Sequence, residues 1–289
     1  MQAPRSVRVV VLVDDYSGFQ AGLLGEHGLS ILVEAVYEDG STQRVLFDTS
    51  ATGRVLLHNA RKLGADLKSI SAVVLSHRHW DHTGGLPSLA KALEKTGAVV
   101  VAHPDILNPA YRVGNGSVKY IGLGSESRRL IESTGALLTK NHLEVAPGIY
   151  YLGEVERYYD NSYAVKGFKT VKNGELVDEP SLDDTGLAVK VGEKVLVIAG
   201  CSHSGISNIA RKARKLTGAS RLLVMGGFHL VSADSNTISR VVRELLDEGV
   251  EQVYPGHCTG LAGEAALLQA YRDKLHKIHS GFVLELRAE

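Results

Sequence analysis

Three imidazoles and a carboxylate fall within six residues in His77-Arg78-His79-Trp80-Asp81-His82, directly after the short apolar run Ala72–Leu75. Imidazole nitrogen and carboxylate oxygen are ligands of Zn²⁺, Fe and Mn. In an extended loop, alternate side chains point the same way. His77 and His79 can therefore converge on one ion, while Asp81 and His82, one step along, can reach a second. Gly84-Gly85 then permits a tight backbone turn towards the next helix. The alternative is a His-rich surface loop, but chance would assemble this order of residues in on the order of one chain in a thousand. The run therefore calls for a fold in which a buried strand stops at a loop lined with donors.

The rest of the chain alternates strand-like and helix-like patterns. Val7–Val13, Ile31–Tyr37 and Arg44–Phe47 are rich in branched apolar residues and are predicted strands. Asp39-Gly40 is a hairpin signal between the last two. Thr52 to Leu63 reads as a helix ended by Gly64. After the histidine run come a helix from about Pro87 to Lys95, closed by Gly97, and a strand Val99–Ala102. In the second half, Leu187–Val191 and Lys194–Ala199 flank a Gly192-Glu193 hairpin. Ile206, Ile209, Ala210, Ala213 and Leu216 recur at helical spacing, with Arg211, Lys212, Arg214 and Lys215 on the opposite face. Leu222–Met225, Val253-Tyr254 and Phe282–Leu286 read as strands. Helices are predicted around Ile238–Leu246, capped by Ser235 and ended by Gly249, and from about Leu261 to Lys274. Two packed sheets with helices outside, a four-layer α/β arrangement, accommodate this order. A single domain over residues 1–289 is expected, with a less regular insertion at about 104–180 that holds seven of the eleven tyrosines.

Bulk properties narrow the partners. A chain of 289 residues can bury a core large enough to fold without a disulfide or a structural zinc finger. Acidic and basic side chains balance at 32 each, which gives no electrostatic footprint for nucleic acid or a membrane surface. The longest apolar stretches, such as Val9–Val13, are far too short to span a bilayer. No secretion signal is expected from the first residues, Met1 to Ser6, which lead directly into a strand-like run. Two cysteines, Cys201 and Cys258, make no disulfide framework, so a reducing cytoplasm is the expected setting.

The run Ser76–Gly85 matches HxHxDHxGG, and on it the chain resembles the metallo-β-lactamase superfamily, whose fold is an αββα sandwich. The resemblance implies a metal site with further parts. Asp48, in Leu46-Phe47-Asp48-Thr49, stands where that superfamily has an Asp that orients a metal-bound histidine; read on its own it can equally cap the next helix. Gly200-Cys201-Ser202-His203 follows an apolar strand whose end supplies a bridging Asp, or sometimes a Cys, in the superfamily. His203 is expected to be a ligand. Cys201 is a ligand, a thiol beside one, or a core residue. His257, in Tyr254-Pro255-Gly256-His257-Cys258, matches the last histidine of the pattern and is expected at the second ion. In Gly226-Gly227-Phe228-His229 the glycines permit close backbone approach to an anionic substrate. His229 would then donate to that substrate or act as an acid, or else merely support a ligand from behind. His103 reads as structural, and His27, His58, His142, His276 and His279 show no constellation.

The implied cofactor is a pair of divalent ions, Zn first, with Fe and Mn as alternatives. Two such ions can bind both the attacking and the leaving oxygen and lower the pKa of bound water. The loops around Cys201, Gly226 and His257 are similar to those of a branch containing an archaeal pterin-pathway enzyme. That enzyme joins an arylamine-type ribosyl phosphate to a dihydropterin methyl diphosphate and releases diphosphate. The resemblance therefore implies a metal-dependent transferase acting on a phosphorylated, heterocyclic small molecule, with Asp81 and His229 as catalytic candidates. The alternative is a phosphodiesterase- or lactonase-type hydrolase that uses metal-activated water. A non-catalytic scaffold would be expected to have lost ligands. Flavodiiron relatives place Glu at the position of His79. Tyr111, Tyr120, Tyr150, Tyr151, Tyr158, Tyr159 and Tyr163 are read either as a lid that stacks on a flat ring or as ordinary packing. Arg112, Lys119, Arg128 and Arg129 are read as phosphate contacts or plain surface charge.

Overall fold

The computed structural model describes residues 3–19, 21–114 and 116–288. β1 (Ser6–Val13), β2 (Ser30–Val36) and β3 (Thr42–Phe47) lead into α1 (Gly53–Leu63), β4 (Ala72–Val74), α2 (Trp80–Thr83), α3 (Ala90–Thr96) and β5 (Val99–Ala102). Then come β6 (Tyr111–Gly114), β7 (Ser117–Tyr120), α4 (Ser125–Ser133), β8 (Leu137–Leu138), β9 (Leu143–Ala146), β10 (Ile149–Tyr151), α5 (Ser162–Val165), β11 (Phe168–Lys172) and β12 (Glu175–Asp178). The remainder is β13 (Gly186–Val191), β14 (Lys194–Ala199), α6 (Ile206–Thr217), β15 (Arg221–Gly227), α7 (Ser235–Asp247), β16 (Val250–Gly256), α8 (Gly260–Tyr271) and β17 (Val283–Arg287).

Side-chain alternation along the strands sorts them into layers. Val7, Val9 and Val11 of β1 and Ile31 and Val33 of β2 share one buried cluster with Leu196 and Ile198 of β14. Their neighbours Val10, Leu12 and Leu32 pack instead with Val55, Leu56 and Ala60 of α1. On the other side, Val195 and Val197 of β14 pack with Ile209, Ala210 and Ala213 of α6 and with Val241 and Leu245 of α7. The order is helix, sheet, sheet, helix, as the sequence led us to expect. These central strands are buried on both faces, which is why they read as unbroken apolar runs.

The sheets run β17-β1-β2-β3-β4-β5-β8 and β16-β15-β14-β13-β10-β9, with a smaller third sheet β12-β11-β6-β7. The segment expected to be less regular is thus built into the fold. β8 extends the first sheet, β9 and β10 extend the second, and β6, β7, β11 and β12 make the third. Its strands are short, two to five residues, and β7 is exposed along its whole length. No apolar period persists long enough there to be read.

Three boundaries also differ from expectation. α7 is capped by Asp234, whose carboxylate accepts from Thr237 N at 2.7 Å, rather than by Ser235. A carboxylate is favoured there by the positive end of the helix dipole. Leu86–Leu89 forms a 3₁₀ turn around Pro87 before α3 begins at Ala90. α8 stops at Tyr271, and Arg272–Lys274 is a 3₁₀ turn. α1 ends as read, at Gly64, which with φ 64° is left-handed, while Thr52, expected as its first residue, is instead its cap. Among the described residues, no helix is long and apolar enough to cross a membrane.

β3, β4 and β5 are mutually parallel, as are β14, β15 and β16. The carboxyl ends of β3, β4, β14, β15 and β16 lead directly into Asp48, His77, Cys201, His229 and His257.

Candidate metal centre

The loops after these strands meet. The His77 ring centre lies 4.5 Å from that of His79, 4.3 Å from His82 and 4.8 Å from His203. His79 Nδ1 is 3.2 Å from His203 Nε2. On the other flank, Asp81 Oδ2 is 3.4 Å from His82 Nε2 and 3.7 Å from His257 Nε2. Cys201 stands between the two groups, with Sγ 3.2 Å from His82 Nε2 and 3.3 Å from His257 Nε2. Two donor clusters result, Asp81-His82-Cys201-His257 and His77-Cys201-His203, with His79 against the second. Four corners of a tetrahedral ion bound at about 2.1 Å stand roughly 3.4 Å apart, which is the spacing seen here.

The far nitrogen of each ring is held by the fold. Asp48 Oδ2 accepts from His82 Nδ1 at 2.7 Å. The same carboxylate takes both the Ser76 backbone N–H and its hydroxyl, and Ser76 Oγ lies 2.8 Å from His77 Nδ1. His203 Nδ1 meets the Ala164 carbonyl at 2.9 Å, and His257 Nδ1 meets Asp15 Oδ1 at 2.7 Å. With Nδ1 occupied, Nε2 of His77, His82, His203 and His257 is the atom left to face the centre. Among the described residues, the buried His77 Nε2 has no hydrogen-bond partner. An orphaned buried nitrogen costs about 1–3 kcal/mol unless something binds it.

Charge fits the same purpose. Burial pushes His77 and His203 well below the usual imidazole range and takes His79 down to about 4, so these rings carry free lone pairs. Burial opposes an ionised Asp81, but His82 and His257 outweigh it and hold that carboxyl well below the usual carboxylate range. Burial opposes charge on His82 and His257 as well, but Asp81 and Asp48 raise the first well above the usual imidazole range, and Cys258 and Asp15 raise the second to about 9, so these two rings would give up a proton on binding a divalent ion. The backbone is also strained here. Asp48 (φ 57°), Ser202 (φ 62°), His229 (φ 49°) and His257 (φ 42°) all adopt the left-handed region without being glycine, at about 1–3 kcal/mol each.

Arg78, between two of the histidines, points the other way into a buried cluster. Its guanidinium is 2.9 Å from Asp183 and 2.6 Å from Glu179, and its backbone N–H donates to Asp183 at 2.8 Å. The ion pair fixes the segment that carries His77 and His79.

The structure therefore gathers His77, His79, Asp81, His82, Cys201, His203 and His257, and sets Asp48 behind His82. Thr52, not Asp48, caps α1. Cys201 is buried, but among donors rather than in an apolar core. His229 stands at the edge, its ring 4.5 Å from His203, in a cluster with Cys201 and Cys258. Gly226 and Gly227 are tightly packed. A Cβ on Gly226 would collide with the Ala199 carbonyl, and one on Gly227 would lie 2.7 Å from Cys258 Sγ. Close packing against the protein's own chain therefore requires glycine at both positions. The tyrosines do not form a lid as a set. Tyr151 is buried in the core between the large sheets, Tyr158 and Tyr159 pack on one another beside α6, and Tyr111 packs on Tyr120. The aromatic that covers the histidines is Phe168, edge-on to His79 at 5.0 Å and to His203 at 4.9 Å.

Sequence reasoning missed His27 and Asp15. Asp15 Oδ2 is 3.1 Å from His27 Nδ1, and His27 Nε2 is 3.3 Å from Asp81 Oδ2. Asp14-Asp15 at the end of the apolar run Val7–Val13 repeats the pattern of Asp48 after β3, and that was an available signal. His27 carries none.

This chain belongs to the metallo-β-lactamase superfamily, whose family model matches residues 24–216. It is 31% identical, over 97% of its own length and 97% of the relative's, to the 7,8-dihydropterin-6-methyl-4-(β-D-ribofuranosyl)-aminobenzene-5'-phosphate synthase of Methanocaldococcus jannaschii. An uncharacterised protein of the same organism is 31% identical over 90% of this chain and 94% of its own. Among solved structures, a metal-dependent hydrolase of the β-lactamase superfamily is 32% identical. It superposes with a TM-score of 0.81, over 97% of this chain and 99% of that one.

Proposed function

We propose that the protein is a dinuclear-metal transferase that joins a dihydropterin methyl diphosphate to a phosphorylated arylamine acceptor and releases diphosphate. One observation carries the metal part of the reading: two buried donor clusters share Cys201, beside Nε2 of His77, which has no hydrogen-bond partner among the described residues. His77, His79 and His203 would hold one ion and Asp81, His82 and His257 the other, with Cys201 between them. When bound, the ions would supply positive charge to the oxygens of a departing diphosphate. Likeness to the M. jannaschii synthase over nearly the whole chain supports the choice of substrate.

The chain's own groups have separable tasks. Asp48, Ser76, Asp15 and the Ala164 carbonyl orient the rings. Phe168 covers His79 and His203 and keeps bulk water from that flank. Among the described residues His229 Nδ1 has no hydrogen-bond partner, and at the edge of the centre the ring can donate to the leaving group. Asp81, ionised, holds its place between His82, His257 and His27.

A second reading, metal-dependent hydrolysis, is favoured by the structural likeness to the superfamily hydrolase. One assay separates the two. The purified protein, loaded with Zn, Mn or Fe(II), is given dihydropterin methyl diphosphate with and without the arylamine acceptor, and diphosphate is measured. Release that depends on the acceptor is expected. Release that is indifferent to it would favour the hydrolase, and no release with any metal would remove the transferase.

A further inference from the structure

Phe168 turns its ring towards His79, His203 and His229, so the face of the third sheet that carries Phe168 looks at the metal centre. In an antiparallel pair, residues directly opposite share a face. Phe168 of β11 is opposite Arg112 of β6, and Arg112 is opposite Lys119 of β7. Three adjacent strands thus carry Phe168, Arg112 and Lys119 in one row that starts at the histidines and runs outward. The Arg112 guanidinium carbon is 5.7 Å from the centre of the Phe168 ring. Lys119 stands one strand further, a step of about 4.8 Å.

These two cations are available. Among the described residues neither has a carboxylate partner. Their neighbour Lys169 is paired with Asp178 at 2.8 Å, and Glu179 is taken by Arg78. Arg112, though not Lys119, also lines a cavity of about 1000 Å³, together with Lys166, Ser232 and three carboxylates, Asp178 and Glu179, paired as above, and Asp234, which caps α7. Ser232 is three residues beyond His229 in the chain.

We infer that Arg112 and Lys119 bind the phosphate monoester at the far end of the acceptor substrate, a sugar phosphate, while the metal centre takes the diphosphate. The inference rests on the transferase reading and adds to it the part of the protein that selects the acceptor. Two polyanionic groups repel one another, so the second needs its own cations at a distance. About 10 Å, two strand steps from Phe168, matches the length of a ribosyl-arylamine between its reacting end and its phosphate. Guanidinium offers a planar pair of donors to phosphate oxygens, and the ammonium adds a point charge.

The test is calorimetric titration of the metal-loaded protein with an arylamine riboside 5'-phosphate and with its dephosphorylated counterpart, for wild type, Arg112→Gln, Lys119→Gln and the double variant. Wild type is expected to bind the phosphorylated compound at least about 30-fold more tightly. The double variant should fall to a preference of about three-fold or less, each single variant lying between. Equal binding of the two compounds by wild type, or a preference retained by the double variant, would overturn the inference. Turnover is measured on the same samples. If the binding preference behaves as stated but no diphosphate is released, the phosphate site stands and the transferase reading falls.

Discussion

Asp183→Ala removes the carboxylate that anchors the segment between His77 and His79. Arg78 and Asp183 are 2% and 1% exposed. The substitution deletes two charge-assisted bonds, one from the guanidinium at 2.9 Å and one from the Arg78 backbone N–H at 2.8 Å. Each such bond contributes about 1.5–3 kcal/mol. The guanidinium is not left wholly unpaired, because Glu179 remains at 2.6 Å and the Asp105 carbonyl at 3.0 Å. The expected cost is therefore about 3 kcal/mol, the lower end for breaking a buried pair. Asp183→Asn, which can still accept from the backbone N–H, should cost about half as much. Urea unfolding in the presence of chelator reads this directly. Chelator competition on the folded variants should show metal affinity reduced by about ten-fold, because the backbone between two ligands is no longer fixed. A loss of under about 1 kcal/mol for Asp183→Ala, with metal affinity unchanged, would refute the claim that this ion pair positions the histidines.

Other substitutions probe separate parts of the account. Asp48→Asn should weaken metal binding about 10- to 100-fold, measured by competition with a chromogenic chelator, since it disturbs the orientation of His82 and, through Ser76, of His77. Asp234→Ala should cost about 1 kcal/mol in thermal or urea unfolding and Ser235→Ala much less; the reverse order would move the cap. Burial pushes Asp184 up to about 6 from an ordinary 3.8, even though Ser204 donates to it. A carboxyl raised in the folded state stabilises the fold at low pH, and that contribution is lost as pH rises from about 4 through 6. Metal-free Asp184→Asn should therefore lack a fall of about 2–3 kcal/mol that wild type shows over that window, by urea midpoints at successive pH values. Parallel curves would contradict it.

The parts of the site that were legible in the sequence share one property. His77, Cys201, His203, His257 and Asp48 each follow an apolar strand within a few residues, so a local pattern announces both the strand and the donor at its end. The four layers were legible for the same reason, because β1, β2, β13 and β14 are long enough to show their apolar character. Asp15 follows the apolar strand β1 and carries the same local signal, whereas His27 reaches the centre from the connection between β1 and β2, and only tertiary contacts place it there. The third sheet is built from strands of four or five residues with polar side chains on much of their surface. Phe168 was therefore overlooked in favour of the tyrosines, whose number drew attention that their positions do not support.

The central claim is that two donor sets sharing Cys201 each hold a divalent ion, and metal stoichiometry tests it most directly. Elemental analysis of freshly purified protein, alongside His79→Ala, should give about two ions per chain for wild type and about one for the variant. A wild-type protein that binds no metal under saturating conditions, or a metal content that His79→Ala leaves unchanged, would contradict the assignment.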